Sequence, residues 1–259
     1  MPLTTISKQY YLLLLLTSCL CLTCGVSTTY KNSTAQAPSH KLWDSLLQAH
    51  VSPEGMVDYK GLIKDSTAFR NYLKILSSHP PGENWTKEEK LAYWINAYNA
   101  FTIQLIVDHY PVESIQDLHP KAYIPLVNSV WHKKFFQIGG KPMTLNAIEH
   151  KILRPKFEEP RIHFAIVCAS KSCPKLLHQA YTPKAVDQQL TTQAKAFLAD
   201  DFRNKISADQ VQLSKIFSWF KGDFTKEQSL IGFLNQYAPV TIEENASISY
   251  LEYDWSLND

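Results

Sequence analysis

The stretch RIHFAIVCASKSCP, residues 161–174, joins an apolar segment to a polar loop between two cysteines. Residues 162–168 are apolar and partly β-branched, and Pro160 precedes them, which predicts a buried strand. The small polar residues that follow, up to Pro174, predict a loop at the end of that strand. Because binding and catalytic groups are often carried on loops that a rigid element positions, we expect a functional site here.

The N-terminus predicts export from the cytoplasm. Residues 1–18 contain one lysine and then an apolar run too short to span a membrane, which is typical of a signal peptide. The run ends in LTSC, which resembles a bacterial lipobox, so we expect Cys19 to be lipidated. An ordinary cleaved signal is the alternative. Residues 19–39 predict a flexible tether. Either interpretation places the protein in the cell envelope, on the periplasmic side, lipid-anchored or secreted.

Composition and charge narrow the class of partner. The formal net charge is +2 and no basic tract occurs, so nucleic acid is not an expected partner. With 45% hydrophobic residues and no internal repeat or linker, residues 40–259 suffice for one packed domain. The expected partners are the membrane, through the N-terminal lipid, and a substrate or protein that the sequence does not identify.

A long apolar helix is predicted from about 87 to 109. It begins at TKEE, residues 86–89, which is a capping-box pattern. Apolar residues surround it, so we expect it to be the buried central helix. Asn96 and Asn99 share one face of this helix and require hydrogen-bond partners there. They either tie down the backbone of a neighbouring loop or orient a catalytic group.

A second helix, from 145 to about 154, carries a buried carboxylate. Thr144 fits its N-cap, and Glu149 falls within its apolar arc. His150 and Arg154 are expected to point the other way. A carboxylate on a buried face is costly unless it is paired or protonated.

Arg161 and His163 are the expected partners of Glu149. The group is then either a structural ion pair or part of an active site, in which Glu149 acts as an acid or an orienting residue. Arg161 and His150 are candidate binding residues.

These elements predict an α+β single domain with a buried central helix packed on a small sheet. Gly139-Gly140, which follows the aromatic residues of 128–138, predicts a hairpin-type turn. A papain- or transglutaminase-like architecture is one form that this class could take.

Six spaced motifs run through the predicted domain: VDY (57–59), WINAYN (94–99), IEH (148–150) with LR (153–154), RIHFA (161–165), CASKSCP (168–174) and YDWSLN (253–258). Together they resemble the family called domain of unknown function 547, over nearly all of residues 40–259. One departure is Ala169, where glycine is expected. The resemblance implies an α+β domain, often on secreted or membrane-anchored bacterial proteins, and it implies no established activity.

Cys173 is the candidate nucleophile, because it ends the serine-rich loop just before Pro174. Cys168 is expected on the more buried side, where it is either inert or bonded. As a strand, residues 163–168 would span ~17 Å, so His163 is expected to meet Glu149 or the asparagines rather than Cys173. Cys173 is then expected to face either His150 or no base at all. A strand also puts His163 and Cys168 on opposite faces, which disfavours zinc. No cofactor is expected.

Three functional classes stay open. The leading hypothesis is a cysteine hydrolase or transferase in which Cys173, His163, Glu149, Asn96 and Asn99 form the catalytic set. The second is a thiol-redox or disulfide-stapled binding module. The third is a structural or interaction lipoprotein of the envelope, in which the polar residues serve only the fold.

The lipobox interpretation predicts the outcome of one substitution. Cys19→Ala removes the thiol that would carry the lipid, so the protein should move from the membrane fraction to the soluble fraction. Fractionation with mass analysis of the N-terminus measures this. A variant that stays membrane-bound and lipidated would show that the anchor lies elsewhere.

Overall fold

The computed structural model of the chain describes residues 36–124 and 127–259. The predicted signal peptide, Cys19 and most of the predicted tether lie outside these residues. The described residues form an α+β domain, as the sequence predicts. No helix within them is long and apolar enough to cross a membrane.

Helices dominate the domain. The α-helices are α1 (Lys41–His50), α2 (Tyr59–Lys64), α3 (Ser66–Ser78), α4 (Lys87–Val107), α5 (Leu145–Ile148), α6 (Arg154–Phe157), α7 (Val186–Leu198), α8 (Ile216–Trp219), α9 (Lys221–Phe224) and α10 (Leu230–Leu234). A π-helical turn, Glu149–Leu153, joins α5 to α6, and 3₁₀ turns cover Ile115–Leu118, Val130–His132 and Pro160–Phe164.

The strands form two small sheets. They are β1 (Phe136–Ile138), β2 (Lys141–Met143), β3 (Lys205–Ile206), β4 (Gln210–Leu213) and β5 (Ser247–Tyr250). β1 and β2 are an antiparallel hairpin whose turn is Gly139-Gly140, both with positive φ. Two consecutive residues in that region suit glycine, which explains the predicted turn. In the other sheet β4 pairs antiparallel with β3 and parallel with β5.

Helix α4 is the buried centre of the domain, as predicted. Its N-terminus carries the expected capping box: Thr86 Oγ1 accepts from the Glu89 N–H at 3.1 Å, and Glu89 Oε2 accepts from the Thr86 N–H at 2.8 Å. It packs on α2, α3, α5 and α7. The β1–β2 hairpin reaches it through Phe136, whose ring stacks on Phe101 with centroids 3.8 Å apart.

The predicted strand over residues 162–168 is wrong. Residues 160–164 form a 3₁₀ turn, and a loop follows. Pro160 sits at the start of the turn and Glu159 caps it, accepting from the Arg161 N–H at 3.1 Å. The segment is apolar all round because it lies between two hydrophobic clusters, with Ile162 in one and Phe164 in the other. A short run buried on every side has no periodicity that separates strand from helical turn.

The two asparagines of α4 hydrogen-bond the backbone of two neighbouring loops. In a sheet, an adjacent strand would have made these bonds. Asn99 Nδ2 donates to the Ala165 carbonyl at 2.9 Å, and Asn99 Oδ1 accepts from the Val167 N–H at 3.0 Å. Asn96 makes the same pair of bonds to the backbone of Tyr181, at 2.8 and 3.0 Å. Both asparagines therefore tie down loops, which is one of the two roles expected for them.

The Asn99 bonds predict a large loss of stability in Asn99→Ala. The substitution leaves a buried carbonyl and a buried N–H without partners, which should lower the free energy of unfolding by about 2–4 kcal/mol. Asn71→Ala, on the exposed face of α3, is the matched control and should change little. Urea unfolding measures both. Equal midpoints for the two variants would mean that water replaces the Asn99 amide.

Candidate functional site

A cavity of about 710 Å³ lies beside the loop between the two cysteines. Side chains from α4, the π turn, the cysteine loop and the C-terminal segment line it. This volume lies within the usual range for a small-molecule or side-chain binding site. Its lining includes Tyr98, Glu149, His150, His163, Cys168, Cys173, Tyr253, Trp131, Trp219 and Trp255.

The π turn brings Glu149 and Arg154 to the same cavity. The Arg154 N–H bonds to the Glu149 carbonyl, one residue further back than in an α-helix. Pro155 follows directly, and its missing N–H and its ring disfavour an α-helical bond to the Lys151 carbonyl. The expectation that His150 and Arg154 point away from Glu149 is therefore wrong, because it assumed a regular α-helix.

Glu149 is buried and its partner is a tyrosine. Tyr98 Oη donates to Glu149 Oε2 at 3.2 Å, and His150 Nε2 lies 3.9 Å from Oε1. Burial raises the pKa of Glu149 to about 7, although the Tyr98 hydrogen bond and the Arg154 charge oppose it. The expectation that Arg161 or His163 pairs with Glu149 is wrong.

Arg161 instead belongs to an ion-pair cluster away from the cavity lining. Its guanidinium bonds Glu159 at 2.6 and 2.8 Å and Asp187 at 2.8 Å. Thr191 Oγ1 also accepts from it at 2.7 Å. These contacts join the 3₁₀ turn to α7. Because they occupy the guanidinium, they indicate a structural role for Arg161.

Asp223 of α9 links the remaining polar residues. It accepts from His163 Nε2 at 2.7 Å and from Arg154 Nε and Nη2 at 2.6 and 2.8 Å. Burial alone would raise the pKa of Asp223, but these donors keep that pKa well below its usual range. Arg154 Nη1 also donates to His150 Nδ1 at 2.7 Å, which requires a neutral imidazole.

Both imidazoles are neutral at physiological pH. Burial, with a further contribution from the Arg154 charge, lowers the pKa of His150 to about 4. Burial also lowers the pKa of His163, and the Asp223 carboxylate only partly offsets it. Among the described residues, no imidazole hydrogen-bonds to either cysteine sulfur. Cys173 therefore does not face His150 as a bonded pair.

The two cysteine sulfurs touch each other. They are free thiols with Sγ atoms 2.6 Å apart, and the Cys168 N–H donates to Cys173 Sγ at 2.7 Å. Cys168 Sγ is also 3.1 Å from Ser170 Oγ and 3.3 Å from Tyr253 Oη. Cys173 is 4% exposed, whereas Cys168 is partly exposed. The expectation that Cys168 is the more buried of the two is therefore wrong.

The environments of the two thiols push their pKa values apart. Burial alone would raise the pKa of Cys168, but hydrogen bonds from Cys173, Ser170 and Tyr253 outweigh it and lower that pKa. Burial and the negative charge of Cys168 raise the pKa of Cys173 well above its ordinary value. Cys168 is thus the more acidic thiol of the pair, and Cys173 is the less acidic one.

The C-terminal segment and one arginine fix the cysteine loop. The Lys171 and Ser172 N–H groups donate to the carbonyls of Ser256 and Asp254 at 2.9 and 3.2 Å. Arg203 donates to the carbonyls of Lys171 and Cys173, each at 2.6 Å. A loop held on both sides keeps the two sulfurs in contact.

Ala169 adopts the conformation for which glycine is best suited. Its φ is 58°, in the left-handed region, where a Cβ costs roughly 1–2 kcal/mol. Glycine would adopt this conformation without that cost, which gives a physical reason for expecting glycine there. The strained residue lies directly after Cys168, so the fold stores backbone strain beside the reactive thiol.

No group of three or more His, Cys, Asp or Glu in the described ranges could hold a metal ion. The strand geometry that disfavoured zinc does not exist, because residues 160–164 form a 3₁₀ turn. The same holds for the ~17 Å span used to separate His163 from Cys173. What the structure shows instead is that His163 bonds Asp223.

Three residues of the site carry no sequence signal that assigns their role. Tyr98 lies within the WINAYN motif, but nothing there predicts its bond to Glu149. Asp223 is one carboxylate among many near the C-terminus, and Arg203 lies far along the chain from the loop that it holds. Only tertiary packing brings these residues to the cysteine loop.

Residues 82–198 match the family model described as Protein of unknown function, DUF547. The match confirms the resemblance over these residues, which contain Tyr98, Glu149, His163 and both cysteines of the loop. The quoted motifs at 57–59 and 253–258 lie outside the matched range. No curated protein and no solved structure matches the chain.

Alkylation should distinguish the two cysteines. With Cys19, Cys21 and Cys24 replaced by serine, iodoacetamide at neutral pH should label Cys168 first, because it is partly exposed and its pKa is lowered. Cys173 should react only after unfolding. Peptide mapping by mass spectrometry measures both sites. Faster labelling of Cys173 would restore it as the nucleophile.

Proposed function

We propose that the domain is a dithiol oxidoreductase that exchanges its Cys168–Cys173 pair with a disulfide of a substrate. The observation that carries the proposal is the contact between the two sulfurs, 2.6 Å apart, in a loop that the C-terminal segment and Arg203 fix. Only a small movement separates this contact from a disulfide bond.

The difference between the two thiols supports this function. Thiol–disulfide exchange needs an accessible thiolate to attack and a second thiol to displace the substrate. Cys168 is partly exposed on the cavity wall and has the lower pKa. Cys173 is buried against it with a raised pKa, so it is suited to the second step.

The reaction balances within the pair and one substrate disulfide. Cys168 thiolate attacks one substrate sulfur, forming a mixed disulfide and releasing the other substrate sulfur as a thiolate. Cys173 then loses its proton and attacks Cys168 Sγ, which releases the second substrate thiol and leaves a Cys168–Cys173 disulfide. Two electrons pass from the protein to the substrate, and a dithiol reductant restores the reduced pair.

The walls of the cavity indicate the kind of substrate. Trp131, Trp219, Tyr253 and Trp255 form a continuous set of ring contacts, with centroids 4.6–6.0 Å apart. Arg154 is neutralised by Asp223, so the cavity offers apolar surface rather than an unpaired cation. A protein disulfide flanked by apolar side chains suits such walls better than a highly charged small thiol.

A cysteine hydrolase or transferase is the second candidate, with Cys168 rather than Cys173 as its nucleophile. The observation that favours it is Glu149, a buried acid with a pKa of about 7 on the same cavity. A group with that pKa can transfer protons near neutrality. Against it stands the missing imidazole partner of either thiol among the described residues.

For localisation we propose the envelope-anchored form derived from LTSC at residues 16–19. A reductase on the periplasmic side meets protein disulfides there, since disulfides persist in oxidising compartments. The membrane contact through a Cys19 lipid is part of the same proposal.

The Cys173→Ser variant separates the two candidates. The oxidoreductase predicts that wild-type protein accelerates reduction of insulin by dithiothreitol, and that Cys168→Ser and Cys173→Ser both lower the rate to the uncatalysed one. Cys173→Ser should also accumulate a mixed disulfide with insulin, visible by mass spectrometry, because the resolving thiol is missing.

The hydrolase predicts a different pattern for the same variants. Hydrolysis of p-nitrophenyl acetate should then survive in Cys173→Ser and disappear in Cys168→Ser, since only the nucleophile is needed. Urea unfolding of each variant checks that the fold is intact. Wild-type protein that leaves insulin reduction unaccelerated would refute the oxidoreductase.

A further inference from the structure

Two hydroxyl groups contact the sulfur of Cys168. Ser170 Oγ lies 3.1 Å and Tyr253 Oη 3.3 Å from Cys168 Sγ, and Tyr253 reaches the sulfur from the C-terminal segment. A hydroxyl donates to a thiolate, and the same donor is available to an oxygen atom that becomes bonded to the sulfur. The two hydroxyls are therefore placed to stabilise negative charge at the point where Cys168 would attack an oxidant.

The partner thiol is in place for the step that follows oxidation of Cys168. Cys173 Sγ lies 2.6 Å from Cys168 Sγ, and Arg203 holds the Cys173 carbonyl at 2.6 Å. A sulfenic acid, the first product of thiol oxidation, condenses with a neighbouring thiol to give a disulfide. Thiols that respond to peroxide are accessible and stand next to such a resolving cysteine. Cys168 is the partly exposed member of this pair.

The buried state of Cys173 also suits a sulfenic acid. Cys173 is 4% exposed, and burial raises the pKa of its thiol. Among the described residues, no imidazole or carboxylate hydrogen-bonds to either sulfur. An attack by this thiol on a mixed disulfide calls for a base to take its proton. A sulfenic acid needs none, because its departing hydroxide takes the proton of the attacking thiol and leaves as water.

The cavity beside Cys168 indicates the class of peroxide. Its volume is about 710 Å³, and Trp131, Trp219 and Trp255 stand on its wall. Trp255 is in ring contact with both of the others, with centroids 6.0 and 5.8 Å apart. Arg154 on the same wall is already bonded to a carboxylate at 2.6 Å. Aromatic walls without an unpaired arginine favour an apolar organic group over an anionic one.

We propose that the domain is also a thiol peroxidase, which reduces organic hydroperoxides at Cys168 and uses Cys173 as the resolving thiol. This activity goes beyond disulfide exchange, because its first step needs no substrate disulfide. Ser170 and Tyr253 donate to the reacting sulfur, and the tryptophan wall holds the organic group of the peroxide.

The reaction balances within the cysteine pair and one hydroperoxide. The Cys168 thiolate attacks the terminal oxygen of the hydroperoxide, and the O–O bond breaks. The alkoxide leaves with the electron pair of that bond and takes a proton from water, and Cys168 becomes a sulfenic acid. Cys173 then attacks Cys168 Sγ, and hydroxide leaves with the Cys173 proton as water. Two electrons pass from the protein to the peroxide, and a dithiol reductant restores the reduced pair.

A single turnover tests the activity. Reduced protein in which Cys19, Cys21 and Cys24 are serine is mixed with one equivalent of cumene hydroperoxide. It is then quenched with N-ethylmaleimide in urea at set times, and mass spectrometry counts the unlabelled cysteines. Both thiols should be lost together, at least roughly tenfold faster in the folded protein than in the same protein unfolded in urea, because only the fold makes Cys168 more acidic.

Variants separate the two steps. Cys173→Ser should stop at a sulfenic acid on Cys168, which dimedone traps as an adduct that mass spectrometry locates. Tyr253→Phe keeps the ring but should slow the oxidation of Cys168 by roughly tenfold, because a hydrogen bond to a charged sulfur is lost. Tyr250→Phe, at an exposed position, is the matched control and should keep the wild-type rate. Thermal unfolding of each variant reports whether the fold is retained.

Hydrogen peroxide tests the substrate class. It has no organic group to contact the tryptophans, so it should react more slowly than cumene hydroperoxide. Equal rates for the two peroxides would overturn the assignment of organic hydroperoxides.

The peroxidase itself would be overturned if the folded protein lost its thiols no faster than the unfolded one, or if dimedone labelled Cys173 rather than Cys168. Insulin reduction is measured on the same protein. Insulin reduction without fast peroxide reaction removes only the peroxidase, and the converse removes only the disulfide exchange.

Discussion

The double hydrogen bond between the Asn99 amide and the backbone at Ala165 and Val167 is the constraint on which the site depends. The segment that it holds is buried on all sides and is not part of a sheet, so its polar backbone groups cannot turn to water or to a strand neighbour. The side-chain amide of asparagine has both a donor and an acceptor, so it satisfies the Ala165 carbonyl and the Val167 N–H together. Cys168 follows Val167 directly, so its place is fixed by α4.

The cysteine loop is held from its other end by residues far away in the chain. Arg203 and the segment around Ser256 bond its carbonyls and N–H groups, and Tyr59 Oη donates to Asn258 Oδ1 at 2.8 Å, which fixes the C-terminal segment itself. Bringing such distant residues together costs conformational entropy. Burial of the Leu257 side chain in the main hydrophobic core offsets this cost.

Several charged or titratable groups beside the cysteine loop are paired or have shifted pKa values. Asp223 compensates Arg154 and bonds His163, and both imidazoles are kept neutral. Glu149, whose pKa burial raises to about 7, and the thiol pair share the same cavity and have perturbed acidities. Perturbed groups that share a cavity in this way are typical of functional sites, because an ordinary core would avoid the cost of burying them.

The sequence alone suffices to predict the elements whose cause is local. The capping box at Thr86, the Thr144 N-cap, the glycine turn between β1 and β2, and the burial of α4 all follow from propensity and periodicity over a few residues. It also placed Glu149 on a buried face and required partners for Asn96 and Asn99. Glycine is expected at Ala169 only from the family resemblance, and the structure shows that this residue is left-handed.

The remaining features of the site depend on tertiary packing. The 3₁₀ turn at residues 160–164 lies between two hydrophobic clusters. An apolar run in such a place has the same sequence pattern as a buried strand. The π turn moves His150 and Arg154 onto the Glu149 cavity, which a regular helical wheel excludes. Tyr98, Asp223 and Tyr253 meet the site from three separate elements. The exposure of each thiol also depends on that packing. Neighbouring groups in space determine both the solvent access and the pKa of a thiol, so the sequence cannot show which of the two is the more reactive.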